Sequence, residues 1–203
     1  MKILEKQREF FATQKTKDIP FRKNALRRLQ KEIIAREDDI AEAIYKDFKK
    51  PKFETLAAET QFVLAELKLV LKNIDNWASP ERKSASLMNW PSSDWIYREP
   101  FGAVLIIAPW NYPFQLVFAP MIAALAAGNT VVVKPSEATP HTASIISEII
   151  SAVFESEHVA VVEGGVEVSQ ELLSQKWDYI FFTGSTRVGK IVYEAAAKHL
   201  TPV

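Results

Sequence analysis

The sequence predicts an α/β fold: an N-terminal helical segment followed by a parallel sheet with helices on both of its faces. Three observations predict it. Apolar residues recur at close to a 3.6-residue spacing through most of the first eighty residues, the period of a helix packed by one face. From Gly102 onward the pattern changes to short apolar runs of strand length, each followed by a helical segment. Four such strand–helix units in a row build a parallel sheet whose ligand crevice lies at the carboxyl ends of the strands.

In the helical segment one stripe runs from Phe21 through Leu26, Leu29, Ile33, Ile40, Ile44 and Phe48, until Pro51 interrupts it. A second helix carries Phe53, Leu56, Ala57, Thr60, Leu64, Leu67, Leu71, Ile74 and Trp77. Both stripes read as packing faces rather than binding faces. Near Pro80 the composition shifts. Ser84 to Glu99 reads as two short strands around a turn at Pro91-Ser92-Ser93-Asp94, and carries Trp90, Trp95, Ile96 and Tyr97. So aromatic an arm is either a docking surface or a cover for the core.

The strand–helix units follow. Ala103 to Ala108 is a continuous apolar run typical of a buried parallel strand. Phe114 to Ala127 is helical and ends at Gly128, and Thr130 to Lys134 is a strand. Thr139 to Phe154 is a helix, His158 to Glu163 a strand and Glu167 to Ser174 a short helix. Tyr179 to Phe182 is the last strand and Ser185 to His199 the last helix. The chain therefore divides into helices over 1–80 that pack on the sheet domain, a hairpin arm over 81–100 suited to oligomerisation, and the strand–helix units over 101–203.

Lys and Arg number 25, and so do Asp and Glu, which leaves no basic field to attract nucleic acid. The KKPK run from Lys49 to Lys52 reads as a solvated helix end. No apolar run approaches the length of a membrane span, and the start MKILEKQREF is too charged for a secretory signal, so a cytoplasmic location is expected. Cysteine is absent, which excludes disulfides, thiolate metal sites and a cysteine nucleophile within these residues. His141, His158 and His199 are scattered without ligand spacing; they read as surface or helix-end residues, and no metal site is expected.

The stretch FFTGSTRVGK, Phe181 to Lys190, has the glycine and lysine spacing of a P-loop. A P-loop places a Ser or Thr hydroxyl next, on Mg²⁺, and here Ile191 stands instead. The fingerprint G-x-G-x-x-G also fails, because Thr186 occupies its second glycine position. What survives is a strand, a turn at Gly184 and a helix start at Ser185 and Thr186, whose free N–H groups accept a phosphate. From this loop alone a plain helix cap and a nucleotide site both stay open.

The four strand ends taken together say more. They carry Pro109-Trp110-Asn111-Tyr112-Pro113, Lys134-Pro135-Ser136-Glu137, Glu163-Gly164-Gly165 and Thr183-Gly184-Ser185, all expected to face one crevice. A lysine and a carboxylate just beyond a strand suit the hydroxyls of a ribose, one donating and the other accepting. Gly184 and Ser185 suit a phosphate. The pattern is that of a nucleotide site assembled in pieces.

PWNYPF, GNTVVVKPSEATP and FTGSTRVGK together resemble the aldehyde dehydrogenase superfamily, and AAAKHLTPV with two long N-terminal helices is most similar to its class 3, fatty-aldehyde branch. The resemblance runs over essentially the whole chain with the motifs in order. It implies a Rossmann-like domain over 101–203 that binds NAD, with NADP as a second candidate, an aldehyde as substrate, and a homodimer for the full-length enzyme. It assigns Asn111 as the donor to the aldehyde oxygen; the residue otherwise reads as a cap of the turn before Phe114. It places Trp110 beside the cofactor, where a core position is the alternative. It gives Lys134 and Glu137 to the adenosine ribose, against a solvated ion pair. Gly184 and Ser185 would hold the pyrophosphate, Val188 would pack against the cofactor, and Gly165 would lie near the adenine.

The mechanism implied by the resemblance has a cysteine thiolate attack the aldehyde and a hydride pass to the nicotinamide. A water activated by a glutamate then releases the acid from the thioester. The sequence ends at Val203, before the T-L-E-L-G-G segment that carries this glutamate in the family, and it has no cysteine. The expectation is therefore an N-terminal part of a longer enzyme, inactive by itself, incomplete at its C-terminal end and with an unpaired sheet edge there. Two other readings compete: a non-catalytic nucleotide-binding or interaction module, and a P-loop phosphotransferase.

Overall fold

The computed structural model describes residues 2–203 and begins with helix α1 (Lys2–Ala12). A 3-10 turn (Lys15–Lys17) leads to α2 (Ile19–Ala35). Asp18 sets the start of α2: its carboxylate accepts from the Phe21 N–H at 3.0 Å, and Pro20 stands in the first turn, where no intrahelical donor is needed. After α3 (Glu37–Phe48), Lys49 takes a left-handed conformation with φ 61° and ends the helix. A short α4 (Lys52–Thr55) then passes through a single π turn (Leu56–Thr60) into α5 (Gln61–Ala78).

The stripe expected as one helix from Phe21 to Phe48 is thus two helices, α2 and α3, joined at Arg36 with φ −110° and ψ 19°. The break is invisible in the periodicity because it preserves register: Leu26, Leu29, Ile33, Ile40 and Ile44 are all fully buried. Next, β1 (Glu81–Lys83) pairs antiparallel with β2 (Asp94–Ile96), Lys83 opposite Asp94. The hairpin differs from expectation. Its first strand precedes Ser84, and Asp94 belongs to the second strand rather than to the turn. The connection, residues 84–93, contains a 3-10 turn (Leu87–Asn89) started by Ser86, whose hydroxyl accepts from the Met88 N–H.

The strand–helix units are β3 (Ala103–Ile107), α6 (Gln115–Ala127), β4 (Thr130–Lys134), α7 (Pro140–Val153), β5 (Val159–Val161), α8 (Val166–Leu173), β6 (Tyr179–Phe182) and α9 (Thr186–Ala197). All pairings in this sheet are parallel, in the order β5-β4-β3-β6. The two central strands, β3 and β4, are buried along their whole length, which is why they read as continuous apolar runs. Alternate residues serve opposite faces. Val104, Ile106, Val131 and Val133 join the core built with α2, α3, α5, α6 and α7. Ala103, Leu105, Ile107, Val132 and Ile180 join a second core with Leu4 of α1, Leu172 of α8 and Val192 of α9. Successive strands step from β3 to β4 to β5 on one side, and the chain then returns to add β6 on the other. The β3–β6 boundary is the topological switch point where such folds open a ligand crevice.

The outer edge of β6 is not bare. The Ile180 N–H donates to the Pro202 carbonyl at 3.0 Å, and the Thr201 hydroxyl donates to the Trp177 carbonyl at 2.8 Å. Thr201 and Pro202 therefore lie against the start of β6, so the edge expected to be unpaired carries one backbone bond at Ile180. Among the described residues no helix is long and apolar enough to cross a membrane.

Candidate active and cofactor site

Three backbone bonds extend the sheet ladder one residue past the strands and fix the crevice. The Ala108 N–H donates to Lys134 O at 3.1 Å, Thr183 N–H to Ile107 O at 3.1 Å, and Val162 N–H to Val133 O at 2.9 Å. The loop carrying Trp110 and Asn111 therefore leaves the sheet between the Lys134–Glu137 loop and the Thr183–Ser185 loop. All four of the expected segments share this one end of the sheet. Gly165 lies at its β5 side, as the residue that precedes α8.

Ser185 is the N-cap of α9, its hydroxyl accepting from the Val188 N–H at 3.4 Å. The Thr186 and Arg187 N–H groups precede the first intrahelical bond, in an exposed turn, and such free N–H groups at a helix start take an anion. Val188 is half-buried and packs, with Phe182, against the second core. Gly184 was expected for its turn conformation, but it is not among the glycines with positive φ. A Cβ there would lie 2.5 Å from the Phe182 ring, and one on Gly189 would lie 3.4 Å from the same ring. The two glycines of the motif thus bracket an aromatic side chain that lies across the loop.

Lys134 corrects the reading of a solvated ion pair in one half. Its side chain is buried, and Nζ donates to Glu137 Oε2 at 2.5 Å, while Glu137 stays half exposed. The hydrogen bond from Lys134 holds the Glu137 carboxyl below the usual carboxylate range, against the opposing effect of partial burial. An ammonium at a strand end with one half-exposed partner retains donor capacity for a second acceptor. A Cβ on Gly165 would meet nothing within 4 Å, so the chain's own packing does not require glycine there and leaves room beside it. Gly164 is the structural one of the pair, with φ 145°. Open space at Gly165, a buried ammonium at Lys134 and open N–H groups at α9 fit a base, a ribose and a diphosphate in that order.

Trp110 is 59% exposed, which rules out the core reading. Asn111 is also exposed, and it does not cap α6. That task falls to Glu59, which sequence reasoning missed: its Oε2 accepts from the Phe114 N–H at 2.9 Å and the Gln115 N–H at 3.3 Å. Its Oε1 takes the Lys50 ammonium at 2.6 Å. Lys50, expected at a solvated helix end, is buried. The available signal was a carboxylate at helical spacing from the apolar Leu56 and Val63. His158 is likewise not at the surface. It is buried among Phe10, Phe21 and Phe154, and burial, helped by the Arg28 charge, lowers its pKa to about 4.

The aldehyde dehydrogenase family model matches residues 1–203. The chain belongs to this family. It is 47% identical to the 4,4'-diaponeurosporen-aldehyde dehydrogenase of Staphylococcus aureus, over all of this chain and 45% of that protein. It is 44% identical to aldehyde dehydrogenase family 3 member B2 of Mus musculus, over 98% of this chain and 42% of that protein. The chain thus spans less than half the length of these relatives. Among solved structures, the substrate-bound state of Staphylococcus aureus AldH superimposes with a TM-score of 0.98 at 47% identity, over 100% of this chain and 44% of that one. An aldehyde dehydrogenase of Mycobacterium tuberculosis, solved with NAD+, gives 0.80 at 28% identity over 89% of this chain and 37% of that one.

Proposed function

We propose that this chain supplies the cofactor-binding part of an NAD-dependent aldehyde dehydrogenase that converts an aldehyde to a carboxylic acid. The observation that carries the reading is the buried Lys134 paired with Glu137, set across the switch-point crevice from the open N-terminus of α9 in a chain of this family. The M. tuberculosis relative's NAD+ complex supports the cofactor class. In this reading Lys134 donates to, and Glu137 accepts from, the ribose hydroxyls. Ser185 and the first N–H groups of α9, with Gly184 beside them, hold the diphosphate. Gly165 leaves room for the adenine, and Val188 and Trp110 flank the cofactor. The cofactor, when bound, supplies the electron acceptor for aldehyde oxidation.

Asn111 would donate its side-chain amide to the aldehyde oxygen as that oxygen gains negative charge, a contribution worth about 3 kcal/mol in comparable sites. The likeness to the class 3, fatty-aldehyde branch favours a long-chain aldehyde. The thiolate that the reaction requires is not among these residues, which contain no cysteine. The exposed Trp90, Trp95, Ile96 and Tyr97 of the 81–100 arm are offered for a homodimer contact, in the cytoplasm.

Titrating the purified chain with NAD+ and with NADP+ tests the cofactor assignment. Saturable binding with NAD+ preferred supports it, because Glu137 places a negative charge where a 2′-phosphate would sit. Preference for NADP+, or binding of neither, refutes it.

A further inference from the structure

Glu59 occupies an unusual place. It lies inside the single π turn, Leu56–Thr60, that interrupts the long helical run from Lys52 to Ala78, and its side chain is fully buried. A π turn is a costly irregularity that shifts side-chain register, and such turns concentrate at functional sites. Here the register brings a carboxylate under the start of α6. One oxygen, Oε2, accepts from the Phe114 and Gln115 N–H groups, which have no partner inside the helix and lie at its positive end. The other, Oε1, takes Lys50 Nζ, and that ammonium sits 4.2 Å from the centre of the Tyr112 ring.

The single carboxylate therefore fastens the chain just after Asn111 twice, at Tyr112 through Lys50 and at Phe114 directly. On the other side, the Ala108 N–H bonded to Lys134 O fastens the chain to the sheet. Asn111 itself is exposed and not bound into the α6 cap, and its neighbours on both sides carry these restraints. We propose that Glu59 and Lys50 are positioning residues that hold the Asn111 loop for its role toward the aldehyde oxygen. The inference rests on the aldehyde dehydrogenase reading above. Neither residue touches the reacting atoms. A donor aimed at a developing oxyanion loses its effect when displaced by about 1 Å, so a rigid buried anchor has a chemical purpose that a solvent-exposed helix cap would not serve.

The test uses the full chain labelled with ¹⁵N-asparagine. The side-chain amide of Asn111, assigned through Asn111→Asp, reports the loop. That of Asn129, which holds Gly102 N–H and Ala124 O, reports the fold around α6. Glu59→Gln keeps an acceptor for Phe114 but presents Lys50 with an amide, so the expected result is a shifted or doubled Asn111 amide with Asn129 unmoved. Should Asn129 also move, the double variant Lys50→Met with Glu59→Gln replaces the test, since it leaves no buried charge unpaired. It should restore Asn129 and still move Asn111, the Tyr112 restraint being gone. An Asn111 amide unchanged in whichever variant retains the Asn129 signal, or an Asn129 signal lost from both, overturns the proposal by making the pair purely structural. NAD+ affinity should stay within about twofold of the parent chain, and a loss of about tenfold or more would overturn the proposal by moving the pair's role to the cofactor end. Failure of the parent chain to bind NAD+ would sink the dinucleotide reading and leave the Asn111 measurement standing as a separate result.

Discussion

Lys134 and Glu137 carry opposite charges, and only one of them is withdrawn from water. That asymmetry makes two residue-scale outcomes testable. Glu137→Gln removes the negative charge from the crevice, so the preference for NAD+ over NADP+ should shrink in paired titrations. An unchanged ratio would remove Glu137 from its assigned role. His158 gives the second. Its folded pKa of about 4 lies below the ordinary 6.5, so the neutral ring is the form the fold accepts. A base with a depressed folded pKa contributes stability that is fully present above 6.5 and is lost as pH falls toward 4, because the unfolded chain binds the extra proton. The slope should reach roughly 1.4 kcal/mol per pH unit inside that window. Urea midpoints measured from pH 7 down to pH 4 should fall, and His158→Phe, which suits a box of three phenylalanines, should flatten the fall. The burial of His158 was not legible in the sequence, because Phe10, Phe21 and Phe154 come from three separated segments.

At the scale of elements, the β6–α9 turn separates packing from binding. Gly184→Ala forces a Cβ to within 2.5 Å of the Phe182 ring. Displacing that ring should cost roughly 1–3 kcal/mol in a denaturant titration and weaken NAD+ as well. Gly165→Ala meets nothing within 4 Å, so stability should change by less than about 0.5 kcal/mol while NAD+ affinity falls. If the Gly165 variant binds NAD+ as the parent does, the adenine does not lie against that glycine. The strand–helix units were legible because β3 and β4 are buried on both faces and leave continuous apolar runs. The joint at Arg36 was not, since two helices that keep one register share one periodicity. The Glu59 cap escaped for a different reason: a carboxylate in a helical sequence declares its burial only when the π turn and its distant partners, Lys50 and Phe114, are assembled. Asn111 and Trp110 were assigned by motif, and the structure adds that both are exposed on the loop that follows β3.

For the whole molecule, the composition sets the sharpest limit. A chain without cysteine has no thiolate to attack an aldehyde, and the Ser185 hydroxyl is engaged as a helix cap. The purified 203-residue chain should therefore show no aldehyde-dependent formation of NADH with a long-chain aldehyde. Sustained turnover would contradict the thiolate chemistry as applied here. The apolar surface of the 81–100 arm, with Leu87 and Met88 each 94% exposed and Trp90 78% exposed, predicts concentration-dependent association in sedimentation, reduced by Trp90→Ser. The central claim is that the carboxyl ends of β3, β4, β5 and β6 form a dinucleotide site. A crystal structure of the chain soaked with NAD+ tests it most directly. The account predicts a ribose within hydrogen-bond reach of Lys134 and Glu137, and a diphosphate at Ser185 and the first N–H groups of α9. NAD+ bound at any other surface, with that end of the sheet empty, would contradict it.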